Sequence, residues 1–134
     1  KPGAGSAVKS LRGTVEQNVL LPLRLTGHSA KEHSPRAREL VERLDIGRHW
    51  QKLTSELSQG ERQRVAVARA LAHQPKVVLA DEPTSSLDAK RKALVMDLLI
   101  RYTREQDASL IMVTHDTELF SQLDRVVNVE EWTR

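Results

Sequence analysis

From Thr14 onward the chain alternates between helical and strand periods. Thr14 to Leu21 reads as a short helix, with Thr14 and Gln17 in a capping-box pattern and Pro22 ending the run. Residues 26–34 are polar and predict a loop. The next helix has Ser34 as its cap, Pro35 in its first turn and Gly47 at its exit. Ala37, Leu40, Val41 and Leu44 share one face at helical spacing, and Arg36, Arg38, Glu39, Glu42 and Arg43 cover the rest. These two segments predict a small helical unit.

From Leu57 the period changes. Ser58 and Glu61 form a second capping box, opening a helix that runs to about His73 before Pro75 closes it. Lys76 to Ala80 is a short, nearly continuous apolar run, as expected of a strand buried on both faces. Asp88 caps a long helix with Leu94, Val95, Leu98, Leu99 and Tyr102 inward. Leu110 to Val113 predicts a second buried strand, Asp116 starts a short helix, and Arg125 to Val129 predicts a third strand. Strands alternating with helices imply a parallel sheet with crossover helices.

Length and composition bound the answer. The 134 residues suffice for one domain with a real core. Aromatics make up 3% of the chain, so aliphatic side chains must fill that core. The absence of cysteine excludes a disulfide scaffold and a thiolate metal site, and is compatible with a reducing cytoplasm. No run reaches transmembrane length, and no secretory signal pattern opens the chain. The first residue is Lys1 rather than Met, which suggests a fragment or processed chain. Charge is uneven, with a net +6 over residues 1–75 and −3 over residues 76–134. The basic half reads as a solvated helical surface; its cations are not interleaved with stacking aromatics, which argues against nucleic acid.

Three places carry chemistry. Asp81 and Glu82 directly follow a strand, at the sheet edge where parallel folds bind ligands. An Asp there can hold Mg²⁺ through oxygen, and its neighbour can orient or deprotonate an attacking water. Ser58, Gln59 and Gly60 begin a helix, where free N–H groups and the dipole favour an anion and glycine permits close approach. His115 follows the next strand and stands near the same sheet edge, where imidazole can donate to a phosphate oxygen.

These motifs carry a resemblance. Leu57-Ser58-Gln59-Gly60-Glu61-Arg62-Gln63-Arg64, then Val77 to Pro83, then Ser85-Ser86-Leu87-Asp88 closely resemble the signature, Walker B and D-loop of ABC-type ATPases. The likeness runs from about Thr14 to Val129. Gln59 stands where the family usually has Gly, and Glu61 where it often has Gln. Thr14 to Val19 and Leu79 to Thr84 further resemble the subfamily serving lipoprotein release, macrolide-type efflux and glycolipid export.

The resemblance implies an α/β fold: a P-loop NTPase-like parallel sheet with crossover helices plus a small helical subdomain, truncated at the N-terminus. Residues 14–56 would form the helical subdomain and 57–134 the signature, Walker B, D-loop and switch-histidine region. It implies ATP and Mg²⁺ as ligands, Asp81 for the metal, Glu82 as catalytic base, and His115 as the switch histidine sensing the γ-phosphate. Ser58 and Gly60 would contact ATP bound by a second ATPase subunit, and Asp88 would cross the dimer interface. A transmembrane permease would be the other partner, placing the chain at the cytoplasmic face of the membrane.

The N-terminus fits this less well. Gly3 to Ser10 places Gly3, Lys9 and Ser10 in register with a phosphate-binding loop, but Val8 occupies the second glycine position, where a positive φ is needed. A degenerate phosphate loop and a plain Gly/Ser/Ala tail both remain open for residues 1–13. The family's antiparallel subdomain, glutamine loop and adenine-stacking aromatic are missing. Two functions follow: an ATP-hydrolysing transporter subunit, or a non-catalytic module that docks on a transporter or lends its signature helix to a complete ATPase. A relative acting on DNA or ribosomes would need coiled-coil arms or a duplicated domain. A sheet without its first strands should expose an edge and an apolar face, and so associate.

Overall fold

A computed structural model describes residues 12–132; Gly3, Val8, Lys9 and Ser10 lie outside the described residues. Among the described residues, four α-helices and two strands run in the order α1 (Val15–Leu25), α2 (Ala30–Arg43), α3 (Gln59–Ala72), β1 (Val77–Asp81), α4 (Ala89–Glu105) and β2 (Ser109–Val113). The strands pair in parallel, with Val77 opposite Ser109 and Asp81 opposite Val113, so α4 is the crossover between them.

Helix α1 is longer than the sequence predicts. Thr14 and Gln17 do form the capping box, but Pro22 lies inside the helix rather than ending it. A proline there removes one backbone hydrogen bond. Val15, Val19 and Leu23, four residues apart, are each nearly inaccessible and lock the helix onto the core past that defect. Helix α2 likewise begins earlier. Ser29, not Ser34, is its cap, accepting from the Glu32 amide at 3.3 Å, and Pro35 sits within the helix. Its exit precedes Gly47: Asp45 adopts φ 62° and the Ile46 amide reaches back to the Val41 carbonyl at 2.9 Å. Gly47 instead opens a short 3-10 turn, Gly47–His49.

The core is continuous across these elements. Ala37 and Val41 of α2 with its C-cap Leu44, Val65, Ala68 and Leu71 of α3, and Val95 and Leu99 of α4 join the α1 residues and Val78 in one cluster. Helix α3 is its hub, packing on α1, α2, β1 and α4. On α4, Met96 takes a buried place while Leu94 is half-buried.

Two strand expectations are corrected. The pair β1/β2 is buried on one face, not both: Leu79 is 72% and Val113 59% exposed, because the described helices pack against one side. Residues 125–129 form no strand; Val126, Val127 and Val129 are exposed, and Val129–Trp132 is a 3-10 turn. A β-branched run needs a ladder partner, and among the described residues it has none. Among the described residues no helix is long and apolar enough to cross a membrane.

Candidate functional site

The end of β1 builds the first cluster. Asp81 is the last strand residue and is exposed. At Glu82 the backbone turns into the left-handed region, φ 48°, an uncommon conformation for a residue with a side chain. Its N–H still donates to the Val113 carbonyl at 2.7 Å, tying it to the end of β2. The Glu82 carboxylate meets the residues that follow that strand. The Thr114 hydroxyl donates to Oε1 at 3.2 Å, and the His115 backbone N–H donates to Oε2 at 3.0 Å. Thr114 Oγ1 also accepts from the Asp116 amide at 3.0 Å, which leaves its own proton for Glu82. The His115 ring lies 3.7 Å from Glu82 Oε2.

Asp116 closes this edge. It accepts from Lys92 Nζ on α4 at 2.6 Å. That hydrogen bond holds the Asp116 carboxyl below its ordinary range and pushes the Lys92 ammonium up.

The second cluster is the start of α3. Ser58 caps it, accepting from the Glu61 amide at 3.1 Å, while Glu61 Oε1 accepts from the Ser58 amide at 2.9 Å. The Ser58 N–H holds the Glu61 carboxyl below its ordinary value against the opposing effect of burial. The buried His49 adds to the lowering through Nε2, 3.0 Å from Glu61 Oε2. The capping box takes the Glu61 amide, while the first-turn amides of Gln59 and Gly60 have no carbonyl within the helix to bond. Gly60 borders a cleft of about 340 Å³ lined by Arg48, Arg64 and Arg91 together with the acidic Glu61 and Asp88.

Asp88 shares that cleft. It caps α4 through the Arg91 amide at 2.9 Å, which lowers its pKa, and the Arg91 guanidinium joins it to Asp45 at 3.1 and 3.3 Å. Gly60 has a structural reason within the chain itself. A Cβ there would stand 3.0 Å from the Ser86 carbonyl oxygen and 3.2 Å from Leu87 Cδ2.

Glu82 and His115 are therefore in contact with Asp81 alongside, whereas Ser58, Gly60 and Asp88 line a separate cleft. Lys9 and Ser10 lie outside the described residues. Sequence reasoning passed over the bridge between the clusters. Gln63, one turn after Gly60, reaches the backbone of both Glu82 and Ser86. Its i+3 spacing from Gly60 was the available signal. Thr114 and Arg91 were passed over as well, since isolated polar residues beside a motif carry no period.

The family profile described as "ABC transporter" matches residues 5–85. The chain belongs to the ABC transporter family. It is 44% identical over 115 residues to lipoprotein-releasing system ATP-binding protein LolD 2 of Caulobacter vibrioides, covering 86% of this chain and 50% of that relative. It is 45% identical over 116 residues to LolD of Xylella fastidiosa, covering 87% and 48%. Among solved structures it resembles the ATP-binding cassette MJ0796, a dimer in a post-hydrolysis state bound to ADP and Pi. The TM-score is 0.73 at 37% identity, covering 80% of this chain and 48% of that one. The chain spans about half the length of the curated relatives it matches. Those ABC cassettes show the fold to be α/β, of the P-loop NTPase kind.

Proposed function

We propose that this ABC-family chain acts in an ATP-hydrolysing transporter subunit, in which two cassettes close on ATP and drive export through a membrane partner. The observation that carries the reading is the Glu82 carboxylate, held between the Thr114 hydroxyl and the His115 amide at the C-terminal edge of two parallel strands. A base at that edge can take a proton from water attacking a phosphoryl group. The donor set suits the ligands: Asp81 offers an exposed carboxylate beside Glu82, and oxygen ligands suit Mg²⁺. A Mg²⁺ ion there would neutralise charge on the β- and γ-phosphates. The exposed His115 ring reaches toward the same region and can donate to a phosphate oxygen.

Ser58 and Gly60 supply an anion-binding turn in a cleft that Arg48, Arg64 and Arg91 line beside Glu61 and Asp88. Its separation from Glu82 fits a site shared between two subunits, with the turn serving ATP held by the partner and Asp88 near the crossing. The dimeric MJ0796 cassette, found with ADP and Pi, is in keeping with that division. The similarity to lipoprotein-releasing system proteins favours lipoprotein export as the process served. The α1–α2 unit would dock on the permease at the cytoplasmic face of the membrane. Lys9 and Ser10 would contact the phosphates from the chain's own side.

Titration of the chain with a fluorescent ATP analogue and Mg²⁺, beside Lys9→Ala, tests this. Saturable binding weakened in the variant supports a working phosphate loop. An absence of binding at millimolar nucleotide would remove autonomous ATPase action.

A further inference from the structure

Glu82 holds a backbone conformation that a side-chain-bearing residue adopts at a penalty, so its surroundings must fix it. Three main-chain contacts do so. Its N–H is held by the Val113 carbonyl, and its own carbonyl accepts from Gln63 Nε2 at 2.9 Å and, more weakly, from the Ser85 amide at 3.4 Å. Gln63 is 5% exposed. The same Nε2 donates to Ser85 Oγ at 3.0 Å, and Oε1 accepts from the Ser86 amide at 3.0 Å. Both carboxamide hydrogens and the oxygen are thus engaged. The amide has one possible orientation, because a flipped group would face the Ser86 donor with donors and the Glu82 carbonyl with an acceptor.

Gly60 completes the grip. It lies one turn earlier on the same face of α3, and its missing Cβ admits the Ser86 carbonyl. Ser86 is held at its N–H by Gln63 and accommodated at its carbonyl by Gly60. The loop from Glu82 to Ser86 continues directly to Asp88, so one side chain of α3 sets the path of both the carboxylate and the cap of α4.

We infer that Gln63 is a positioning residue that fastens the loop bearing Glu82 to the helix whose start forms the anion-binding turn, making the two clusters one mechanical unit. The functional weight of this rests on the reading above of Glu82 and Ser58; the fastening itself does not. A phosphate that draws the start of α3 would move the Glu82 backbone with it, through a buried carboxamide rather than through solvent.

Amide hydrogen exchange measured by NMR tests this on the chain itself. Gln63→Met keeps the volume and removes all three hydrogen bonds. It should speed Ser86 amide exchange about fivefold relative to amides of α1 and shift the Glu82–Leu87 resonances. Gln63→Glu keeps an acceptor for Ser86 and loses the donor. It should leave Ser86 exchange close to wild type while shifting Glu82 and Ser85. Gln63→Asn retains the carboxamide on a stem one methylene shorter, should resemble Gln63→Met, and serves if the carboxylate buried by Gln63→Glu prevents folding. A residue that merely fills space would leave Ser86 exchange unchanged in the Met and Asn variants, and that result overturns the inference. Nucleotide titration of the same samples separates the two readings. Absent binding with the expected exchange pattern would sink the ATPase reading and leave the fastening standing; unchanged exchange with intact binding would do the reverse.

Discussion

The His115 backbone amide donates to Glu82 Oε2 at 3.0 Å, while the His115 side chain is 99% exposed. The anchoring contact is therefore made by the main chain, and the imidazole is left open to a ligand. His115→Ala keeps the amide and should change unfolding free energy by no more than about 0.5 kcal/mol. Urea denaturation reads this directly. A loss of about 2 kcal/mol or more would show that the ring itself supports the fold.

The Glu61 carboxyl links stability to pH. Its value is lowered from an ordinary 4.5, first by the Ser58 backbone hydrogen bond and then by His49, with burial opposing both. Because the folded value lies below the unfolded one, its contribution is complete above about pH 4.5 and is lost as pH falls through the folded value. Glu61→Gln should be less stable than wild type at pH 7, and the gap should close below about pH 4.5. A gap that stays constant down to about pH 3 would place the effect elsewhere.

Helix α3 ends at Ala72, and Gln74 follows with φ 55°. Glycine adopts that conformation without the clash between Cβ and backbone. Gln74→Gly should raise stability by about 0.5–1 kcal/mol, after allowing for the greater freedom glycine gives the unfolded chain. Thermal unfolding measures it, and a lowered Tm would mean that the Gln74 side chain contributes more than its backbone strain removes.

The open face of β1/β2 presents Val77, Leu79, Ile111 and Val113, each more than half exposed. A two-stranded sheet with one bare apolar face is a surface that seeks cover. Sedimentation should show association that grows with concentration, and Leu79→Lys should reduce it. A clean monomer at high concentration would contradict this.

Much of the site was legible because its residues also direct local structure. Ser58 and Glu61 declare a helix start whatever lies beyond, and Asp88 does the same for α4. The apolar runs before Asp81 and Thr114 mark the strands that bring Glu82 to His115. Helix limits near proline were less legible, since Pro22 is overridden by the buried Val19 and Leu23 on either side. Ser29 and Glu32 carried an S-x-x-E signal that the nearer Ser34-Pro35 pair masked. The valines of 126–129 show β-propensity with no ladder to join. Gln63 stands in the signature-like motif with no role assigned, because its burial depends on a loop that arrives only through tertiary packing.

The most direct test compares Glu82→Gln with wild type for ATP turnover and for binding of a fluorescent ATP analogue. With Glu82 as the base, turnover should fall by about 10²–10⁴-fold while nucleotide affinity is retained. Unchanged turnover in the variant would remove Glu82 from the chemistry and the account with it.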